Sequence, residues 1–290
     1  MDVDFTKAKD YFVGIDSDGC AFDTMELKHK ECFIPNIIHY WGLKGVSKYA
    51  RETAEFVNLY SKSRGVNRFP AIYEVLQLLN KRPEVIERIG KIEIPQILVD
   101  WIKSESKLGN PALIEYVAHT DSPIMRRVLE WSVEINKTID RIVGDGVPPF
   151  PKVRESLKKL SERADISVVS QTPHAALEKE WTRQGLARYV RAICGQEVGT
   201  KAECLAFSQN YEKAHSLMIG DAPGDLKAAV ANDALFYPIV PGKEEASWER
   251  FYAEGIDKFL NCEFSGEYQR ELLEEFDRSL PQDPSWRQIS

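Results

Sequence analysis

The sequence lacks the patterns that mark disulfide-rich, zinc-binding or membrane-spanning proteins. Its five cysteines are widely spaced and form no Cys-x-x-Cys pair, which argues against a disulfide framework or a zinc site and favours reduced thiols. No apolar run approaches the roughly 18 residues that a membrane helix needs. Residues 1–10 mix acids with lysines and contain no apolar signal region, so we expect a soluble, cytoplasmic protein.

The sequence also has no excess of positively charged residues. The net charge is -7 and the pI is near 5.5, which argues against a general nucleic-acid binder because such a protein needs a basic face. The hydrophobic content of 43% is ordinary for a globular protein with a proper core. The 290 residues suffice for one large domain or two modest ones.

The most informative stretch is an apolar run, Tyr11 to Ile15, followed at once by Asp16-Ser17-Asp18-Gly19. Because side chains alternate along a strand, aspartates two positions apart start out on one face. Such a pair can hold a divalent cation and still divide catalytic work between its members. Aspartate, serine and glycine are also common turn residues, so a surface turn explains the stretch almost as well when it is taken alone.

The segment between this motif and a glycine- and proline-rich stretch, Gly144 to Pro151, is predicted to be mostly helical. Apolar residues recur there at three- and four-residue spacings, and prolines punctuate the pattern. The expected helices are Lys48 to Tyr60, Ala71 to Leu79, Glu93 to Lys103 and Ile124 to Ile142, with helix starts at Asn110-Pro111 and Ser122-Pro123. We therefore expect an inserted helical domain at residues 24–147.

Beyond Pro151 helices and strands alternate, which is typical of a parallel sheet with helices on both faces. We expect Thr172 to be the N-cap of one of these helices and Pro173 its first residue. The predicted strands are Ile166 to Val169, Tyr189 to Cys194, Ser216 to Ile219 and Leu235 to Val240, and the predicted helices are Lys152 to Arg163, Thr172 to Gln184, Lys201 to Asn210 and Asp225 to Ala231. The fold class is α/β: a Rossmann-like core of residues 1–23 and 148–262 with a parallel sheet, a helical domain inserted after the first strand, and a C-terminal helix and tail at residues 263–290.

Polar side chains follow the predicted strands, and open parallel sheets bind ligands beyond the carboxyl ends of their strands. Each of these side chains has an ordinary explanation as a turn, a cap or a solvated charge. Their joint placement at one rim is harder to explain that way and indicates a site. The residues concerned are Asp16 and Asp18 after the first strand, Ser170 and Gln171 after the second, Lys201 at a later helix start, and Asp221 and Asp225 after Met218-Ile219-Gly220.

In these elements the sequence resembles the haloacid dehalogenase superfamily. The residues Ile15 to Gly19 resemble the first motif of that family, Val168-Val169-Ser170 the second, Lys201 the third and Met218 to Asp225 the fourth. The first and fourth motifs together are specific, whereas the second and third are weak alone. The resemblance covers roughly residues 8–24 and 148–240, and it identifies the helical insertion as a type 1 cap, which in this family closes over the site.

The resemblance implies a Mg²⁺-dependent hydrolase that acts on a small phosphorylated metabolite through an aspartyl-phosphate intermediate. Asp16 would be the nucleophile and a metal ligand, and Asp18 the general acid and base, with its backbone carbonyl on the metal. The remaining roles fall on Asp221 and Asp225 as metal ligands, the latter directly or through water, and on Ser170, the amide of Gln171 and Lys201 as groups that hold and neutralise the phosphoryl oxygens.

Asp18 and Cys20 refine this interpretation. Dehalogenases and phosphonatases of the superfamily lack the second aspartate, so Asp18 favours phosphate-ester hydrolysis. A phosphomutase would keep both aspartates and remains an alternative. A non-catalytic binding protein on the same scaffold is a further, weaker alternative because the essential side chains are all present. Cys20 stands where the family usually has threonine or valine, and we expect it to pack rather than react.

The candidate substrate contacts in the inserted segment are Lys62, Arg64 and Arg68, which place three cations within seven residues around Gly65. These cations could hold an anionic leaving group, although a solvated basic loop between helices explains the same residues more simply. We expect a small phosphorylated substrate as the partner and neither nucleic acid nor a membrane. The sequence does not identify the substrate or the oligomeric state.

Overall fold

The computed structural model of the protein describes residues 5–144 and 146–287. The chain divides into two compact units. The first contains the chain up to Met25 together with Gly146–Pro281, and the second contains Glu26–Asp145 and the chain from Gln282 onward. The C-terminal helix, Glu267–Ser279, thus belongs to the first unit.

The first unit is built on a five-stranded sheet with the order β3-β2-β1-β4-β5. Every neighbouring pair is parallel, and Ile15 at the end of β1 lies opposite Val168 of β2 and Ile219 of β4. The strands are β1 Tyr11–Ile15, β2 Ala164–Val169, β3 Ala192–Cys194, β4 Ser216–Gly220 and β5 Leu235–Pro238. The parallel sheet and its surrounding helices confirm the predicted α/β class.

Alternating residues of β1 face two separate apolar layers. Val13 and Ile15 belong to a buried cluster that contains Trp181 and Trp248, whereas Phe12 belongs to another that contains Leu205. Because both faces of the sheet are covered, its strands consist of nearly continuous apolar runs. The helices of this unit are Val153–Leu160, His174–Arg183, Lys201–Leu205, Pro223–Ala231, Glu244–Arg250, Ile256–Leu260 and Glu267–Ser279, with a π-helical segment, Phe251–Gly255.

Several predicted elements of this unit have other bounds in the structure; the strand predicted as Leu235 to Val240, for example, ends at Pro238. The strand predicted from Tyr189 begins only at Ala192, because Ala187–Tyr189 form a 3-10 turn. The helix predicted from Lys201 to Asn210 is α-helical only to Leu205 and continues as a 3-10 segment, Ala206–Asn210. The helix after β2 begins at His174, not at Thr172.

The second unit is helical, as predicted for the inserted segment. Its core is aromatic, with Phe69 edge-on to Trp101 at 4.8 Å between ring centroids. The side chains of Asn67 and Ser122 accept hydrogen bonds from the first turns of two helices. The helices are Ile34–Tyr40, Ser47–Leu59, Arg68–Leu79, Pro83–Ile89, Gln96–Ser104, Asn110–Thr120 and Pro123–Ile142, preceded by Met25–Leu27 and a π-helical segment, Lys28–Phe33, with 3-10 turns at Leu43–Val46 and Ser285–Arg287.

The structure shows the state of the cysteines and the character of the helices. All five cysteines are free; Cys20, Cys32, Cys194 and Cys204 are buried, and Cys262 is exposed. Within residues 5–144 and 146–287, no helix combines the length and the apolar character that crossing a membrane would take.

Candidate active site

Three buried carboxylates meet at the carboxyl edge of the sheet. Asp16 directly follows β1, Asp221 directly follows β4, and Asp225 lies in the first turn of the helix Pro223–Ala231. Each offers an oxygen, and these oxygens lie within 4.8 Å of one another. They converge because β1 and β4 are adjacent and parallel, so both strands end at the same edge.

The Lys201 ammonium bridges two of these carboxylates. Its Nζ lies 2.6 Å from Asp16 Oδ2 and 2.5 Å from Asp225 Oδ1. Lys201 is the first residue of its helix, which a reciprocal cap fixes: Thr200 Oγ1 accepts from Glu203 N at 3.2 Å, and Glu203 Oε2 accepts from Thr200 N at 2.7 Å. The cap therefore fixes the first turn of the helix, from which the Lys201 side chain extends to the acidic cluster.

The electrostatics of the cluster leave negative charge to be neutralised. Burial raises the pKa of Asp16 to about 6, although Lys201 opposes the shift, and burial likewise raises the pKa of Asp225. Burial disfavours the ammonium of Lys201, but Asp16 and Asp225 outweigh this effect and raise its pKa. One ammonium faces three carboxylates, and a hard divalent cation, which prefers oxygen ligands, fits such a cluster.

Asp18 is held by two hydroxyl groups. Thr24 Oγ1 donates to Asp18 Oδ1, and Thr172 Oγ1 donates to Asp18 Oδ2 at 2.8 Å. Thr172 is therefore not the N-cap that the sequence predicts; the N-cap residue is Pro173, and the threonine hydroxyl orients a carboxylate instead. Sequence reasoning missed Thr24 entirely, because a single threonine in a short linker carries no local signal.

The two residues predicted to hold phosphoryl oxygens lie at the end of β2, beside β1. Ser170 is buried; its N–H donates to Cys194 O at 3.0 Å, and its Oγ accepts from Thr172 N at 3.3 Å. Gln171 is exposed, and its Nε2 donates to Gly199 O at 3.1 Å. This bond links the loop after β2 to the loop that leads to Lys201. Their roles toward a phosphoryl group stay predictions.

Two tryptophans hold the turn that carries the aspartate pair. Trp181 Nε1 donates to Ser17 Oγ at 3.0 Å, and Trp248 Nε1 donates to Cys20 O at 2.8 Å. Between them Gly19 adopts a φ of 77°, which suits glycine far better than other residues. The sequence gives no sign of these contacts, since both tryptophans lie more than a hundred and fifty positions away along the chain.

Cys20 is fully buried, and its thiol donates to Ile219 O at 3.6 Å. Burial raises the pKa of this thiol well above its usual value, and Asp221 and Asp16 add to the effect. The thiol is thereby held in its neutral, unreactive form.

The cations of the basic loop have partners inside the helical unit. The guanidinium of Arg64 is buried and donates to Leu59 O at 2.8 Å. Arg68 Nη1 donates to Ser132 O and to Asn136 Oδ1, both at 2.9 Å, and burial lowers its pKa to about 10. Lys62 is half-buried. Their predicted contacts with substrate remain a prediction.

The fold and the acidic edge define an α/β protein with a candidate site beyond its strand ends, and comparison with known proteins shows what the chain is similar to. A family model described as haloacid dehalogenase-like hydrolase matches residues 103–236. The matched range includes Ser170, Lys201, Asp221 and Asp225 but not the aspartates after β1. A search of curated proteins finds no match.

Solved structures are similar to this chain at low sequence identity. A proposed phosphoglycolate phosphatase from Lactobacillus plantarum is 12% identical, covers 83% of this chain and 91% of its own, and superposes with a TM-score of 0.51. A proposed β-phosphoglucomutase from Thermotoga maritima is 15% identical over 87% and 97% of the two chains, with a TM-score of 0.46. The family model confirms the resemblance of residues 103–236 to haloacid dehalogenase-like hydrolases, and the Lactobacillus plantarum structure confirms the fold.

Proposed function

We propose that the protein hydrolyses a small phosphomonoester, with Mg²⁺ and with Asp16 as the nucleophile. The observation that supports this most strongly is the buried edge cluster, in which Lys201 bridges Asp16 and Asp225 while Asp221 lies within 4.8 Å. A structural ion pair would need one carboxylate for this lysine. Three clustered carboxylates with one ammonium that contacts two of them favour a site that binds further positive charge and then an anion.

Asp16 supplies the attacking oxygen. Its Oδ1 accepts from Ser17 N at 2.7 Å and its Oδ2 accepts from Lys201, so the carboxylate is fixed in orientation before substrate arrives. It attacks phosphorus in line, the ester bond to the leaving oxygen breaks, and an aspartyl-phosphate forms. The ammonium of Lys201 stabilises the charge on the transferring group in a site that excludes most water.

Asp18 moves the protons. It first gives a proton to the leaving alkoxide and then takes one from the water that hydrolyses the aspartyl-phosphate. The hydroxyls of Thr24 and Thr172 hold its two oxygens, which keeps the carboxyl group in one orientation between turnovers. These two proton transfers are a task that Asp16, as the nucleophile, does not perform. They explain why a second aspartate stands at position 18.

The donor set fits a magnesium ion, because the buried oxygens of Asp16, Asp221 and Asp225 are the hard ligands that it prefers. Asp225 would contribute directly or through a water, and the backbone carbonyl of Asp18 is expected to complete the protein ligands. When bound, the cation would offset the repulsion between the nucleophilic carboxylate and the dianionic phosphate.

The test is an aryl phosphate assay on the wild-type protein and two variants, with Mg²⁺ and with a chelator. Asp16→Asn keeps the shape of the side chain and removes the nucleophile. Asp165→Asn is the matched control, because Asp165 is also buried but is the second residue of β2, at the opposite end of the sheet. We expect Mg²⁺-dependent release of phosphate by wild type and control, and almost none by Asp16→Asn. Equal activity in Asp16→Asn and wild type would refute the proposal.

Labelled water separates hydrolysis from phosphoryl transfer back to a sugar. A hydrolase incorporates oxygen from ¹⁸O-labelled water into the released phosphate at each turnover. A phosphomutase returns the group to an acceptor hydroxyl and releases little labelled phosphate.

A further inference from the structure

A thiol and an imidazole meet at the amino-terminal edge of the sheet, away from the acidic cluster. Cys262 is exposed, and its Sγ lies 3.5 Å from His215 Nε2. Tyr11 Oη lies 3.8 Å from the same sulfur. The other four cysteines are buried, so Cys262 is the thiol that a reagent in solution meets.

The imidazole is oriented with its acceptor nitrogen toward the thiol. His215 Nδ1 lies 3.3 Å from the backbone carbonyl of Asp10. A carbonyl oxygen can only accept, so this contact favours the tautomer with the proton on Nδ1, in which Nε2 presents a lone pair. The ring is also stacked on Tyr11, with 4.3 Å between centroids. Cys262 is thus placed as a nucleophile, His215 as its base, and the carbonyl of Asp10 as the group that orients the base.

The backbone fixes the thiol as firmly as the stacking fixes the ring. Cys262 follows the helix Ile256–Leu260 with a φ of 60°, a left-handed conformation that glycine or asparagine usually adopts at a helix end. Its N–H donates to Phe259 O at 3.1 Å, and Tyr11 Oη donates to Leu260 O at 2.9 Å. The sulfur is therefore held beside the imidazole.

Charged groups from several elements lie near the pair. The guanidinium of Arg163 lies 5.1 Å from the centre of the Tyr11 ring, the carboxylate of Asp10 acts on the Tyr11 hydroxyl, and Glu263 directly follows Cys262. Tyr11 begins β1 and Asp16 follows its end, which places the pair roughly 15 Å from the nucleophile at about 3.3 Å per residue.

We propose that Cys262 and His215 form a thiol-exchange site that takes low-molecular-weight disulfides and yields a mixed disulfide on Cys262. His215 Nε2 accepts the thiol proton as Sγ attacks one sulfur of the small disulfide. A bond forms between Sγ and that sulfur, and the bond within the small disulfide breaks. The leaving thiolate takes the proton from His215, so one thiol is consumed, one is released, and no further oxidant is required.

The experiment measures the rate at which the intact protein forms a mixed disulfide with oxidised glutathione, by mass spectrometry at pH 7 and at pH 9.5. The variants are Cys262→Ser, His215→Phe and His215→Gln, where phenylalanine keeps a ring to stack on Tyr11. A control places Ser265→Cys in the Cys262→Ser background, because Ser265 is exposed three residues further on. Thermal unfolding of each variant verifies that it is folded.

One adduct per protein, absent in Cys262→Ser, is expected. At pH 7 both His215 variants and the Ser265→Cys control should react at least about tenfold more slowly than wild type, and at pH 9.5, where ordinary thiols ionise unaided, the difference should shrink to about twofold. Equal rates at pH 7 in wild type and His215→Phe, or an adduct on a buried cysteine instead, would overturn the proposal.

Discussion

The surroundings of buried carboxylates differ between the two ends of the sheet. At the amino-terminal end, Asp165 Oδ2 accepts from Ala8 N, Lys9 N and Tyr211 Oη at 2.8, 2.9 and 2.7 Å. At the carboxyl end, Asp16 and Asp225 share a single ammonium and face a third carboxylate. The donors to Asp165 are backbone N–H groups and a hydroxyl, whereas Asp16 and Asp225 lie close to other carboxylates, even though Asp225 Oδ2 also accepts from Asp221 N and Ala222 N at 3.2 and 3.0 Å.

We interpret Asp165 as a structural carboxylate and the edge carboxylates as the functional ones that we propose. Asp165 fastens the chain before β1 to the start of β2 through its Oδ2, and its Oδ1 lies 3.4 Å from Arg191 Nε. In the edge cluster, burial and a neighbouring carboxylate raise the pKa of Asp16 and of Asp225, which is typical of a binding or catalytic site. Burial alone does not distinguish the two cases, since Asp165 and Asp225 are both fully buried.

The largest effect is expected for Asp16→Asn on catalysis. Loss of the nucleophile should lower kcat by at least about a thousandfold, because the remaining groups can only bind and polarise the ester. Steady-state hydrolysis of an aryl phosphate measures it. The matched Asp165→Asn protein should retain kcat within about threefold when rates are corrected for folded protein, and a large loss there would remove the distinction between the two ends.

Metal binding should stabilise only proteins with an intact edge cluster. Addition of Mg²⁺ at about 100 times its dissociation constant should raise the free energy of unfolding by about 2.7 kcal/mol, as measured by denaturant titration. Asp221→Asn should abolish this gain, while Asp165→Asn should keep it. A gain that survives Asp221→Asn would place the cation elsewhere.

Without metal, Asp165→Asn and Asp16→Asn should rank in the opposite order in their effects on stability from their effects on catalysis. Asp165→Asn should lower the free energy of unfolding by about 1–3 kcal/mol, because buried donors lose a charged acceptor. Asp16→Asn should cost less, since it removes one of three crowded carboxylates while Asp225 still holds Lys201. Urea unfolding in the presence of a chelator compares them, and Tyr211→Phe, which removes a single donor to Asp165, should fall near 1 kcal/mol.

The smallest effect concerns the orientation of Asp18. Thr172→Val removes the hydroxyl that donates to Asp18 Oδ2 at 2.8 Å and keeps the branched shape. We expect kcat to fall by about three- to tenfold with KM nearly unchanged, which corresponds to about 1 kcal/mol for one hydrogen bond. An unchanged kcat would show that Thr24 alone positions the carboxyl group.

The elements with strong local signals were predictable. The apolar run before Asp16 and the run before Gly220 each end in acidic residues, and β1 and β4 form there as predicted. The alternation beyond Pro151 was enough for a parallel sheet. The strand predicted from Tyr189 was wrong in its first half, because β-prone residues alone do not show where pairing with the neighbouring strand begins. The hydrogen bonds to β2 begin at Arg191, whose N–H donates to Ile166 O.

The contacts between distant residues were not predictable. Thr172 contacts Asp18 only because the chain folds back to bring β1 and β2 together, and by itself it looked like a helix cap. Thr24 is close to Asp18 along the chain, but a single threonine in a short linker gives no signal. The bonds from Trp181 and Trp248 to the turn after β1 depend on packing across the whole unit. The partners of Arg68 likewise come from helix packing, whereas Arg64 turns back to the carbonyl of Leu59 five residues earlier.

The most direct test of the central claim is to find the phosphoryl group on the protein. The wild-type protein is mixed with an aryl phosphate and Mg²⁺, quenched in acid within one turnover and reduced with borohydride, which converts an acyl phosphate to an alcohol; peptide mapping then locates the changed residue. We predict that the change lies at Asp16 and is absent from Asp16→Asn. Modification of another residue, or turnover without any modified aspartate, would contradict a mechanism with Asp16 as nucleophile.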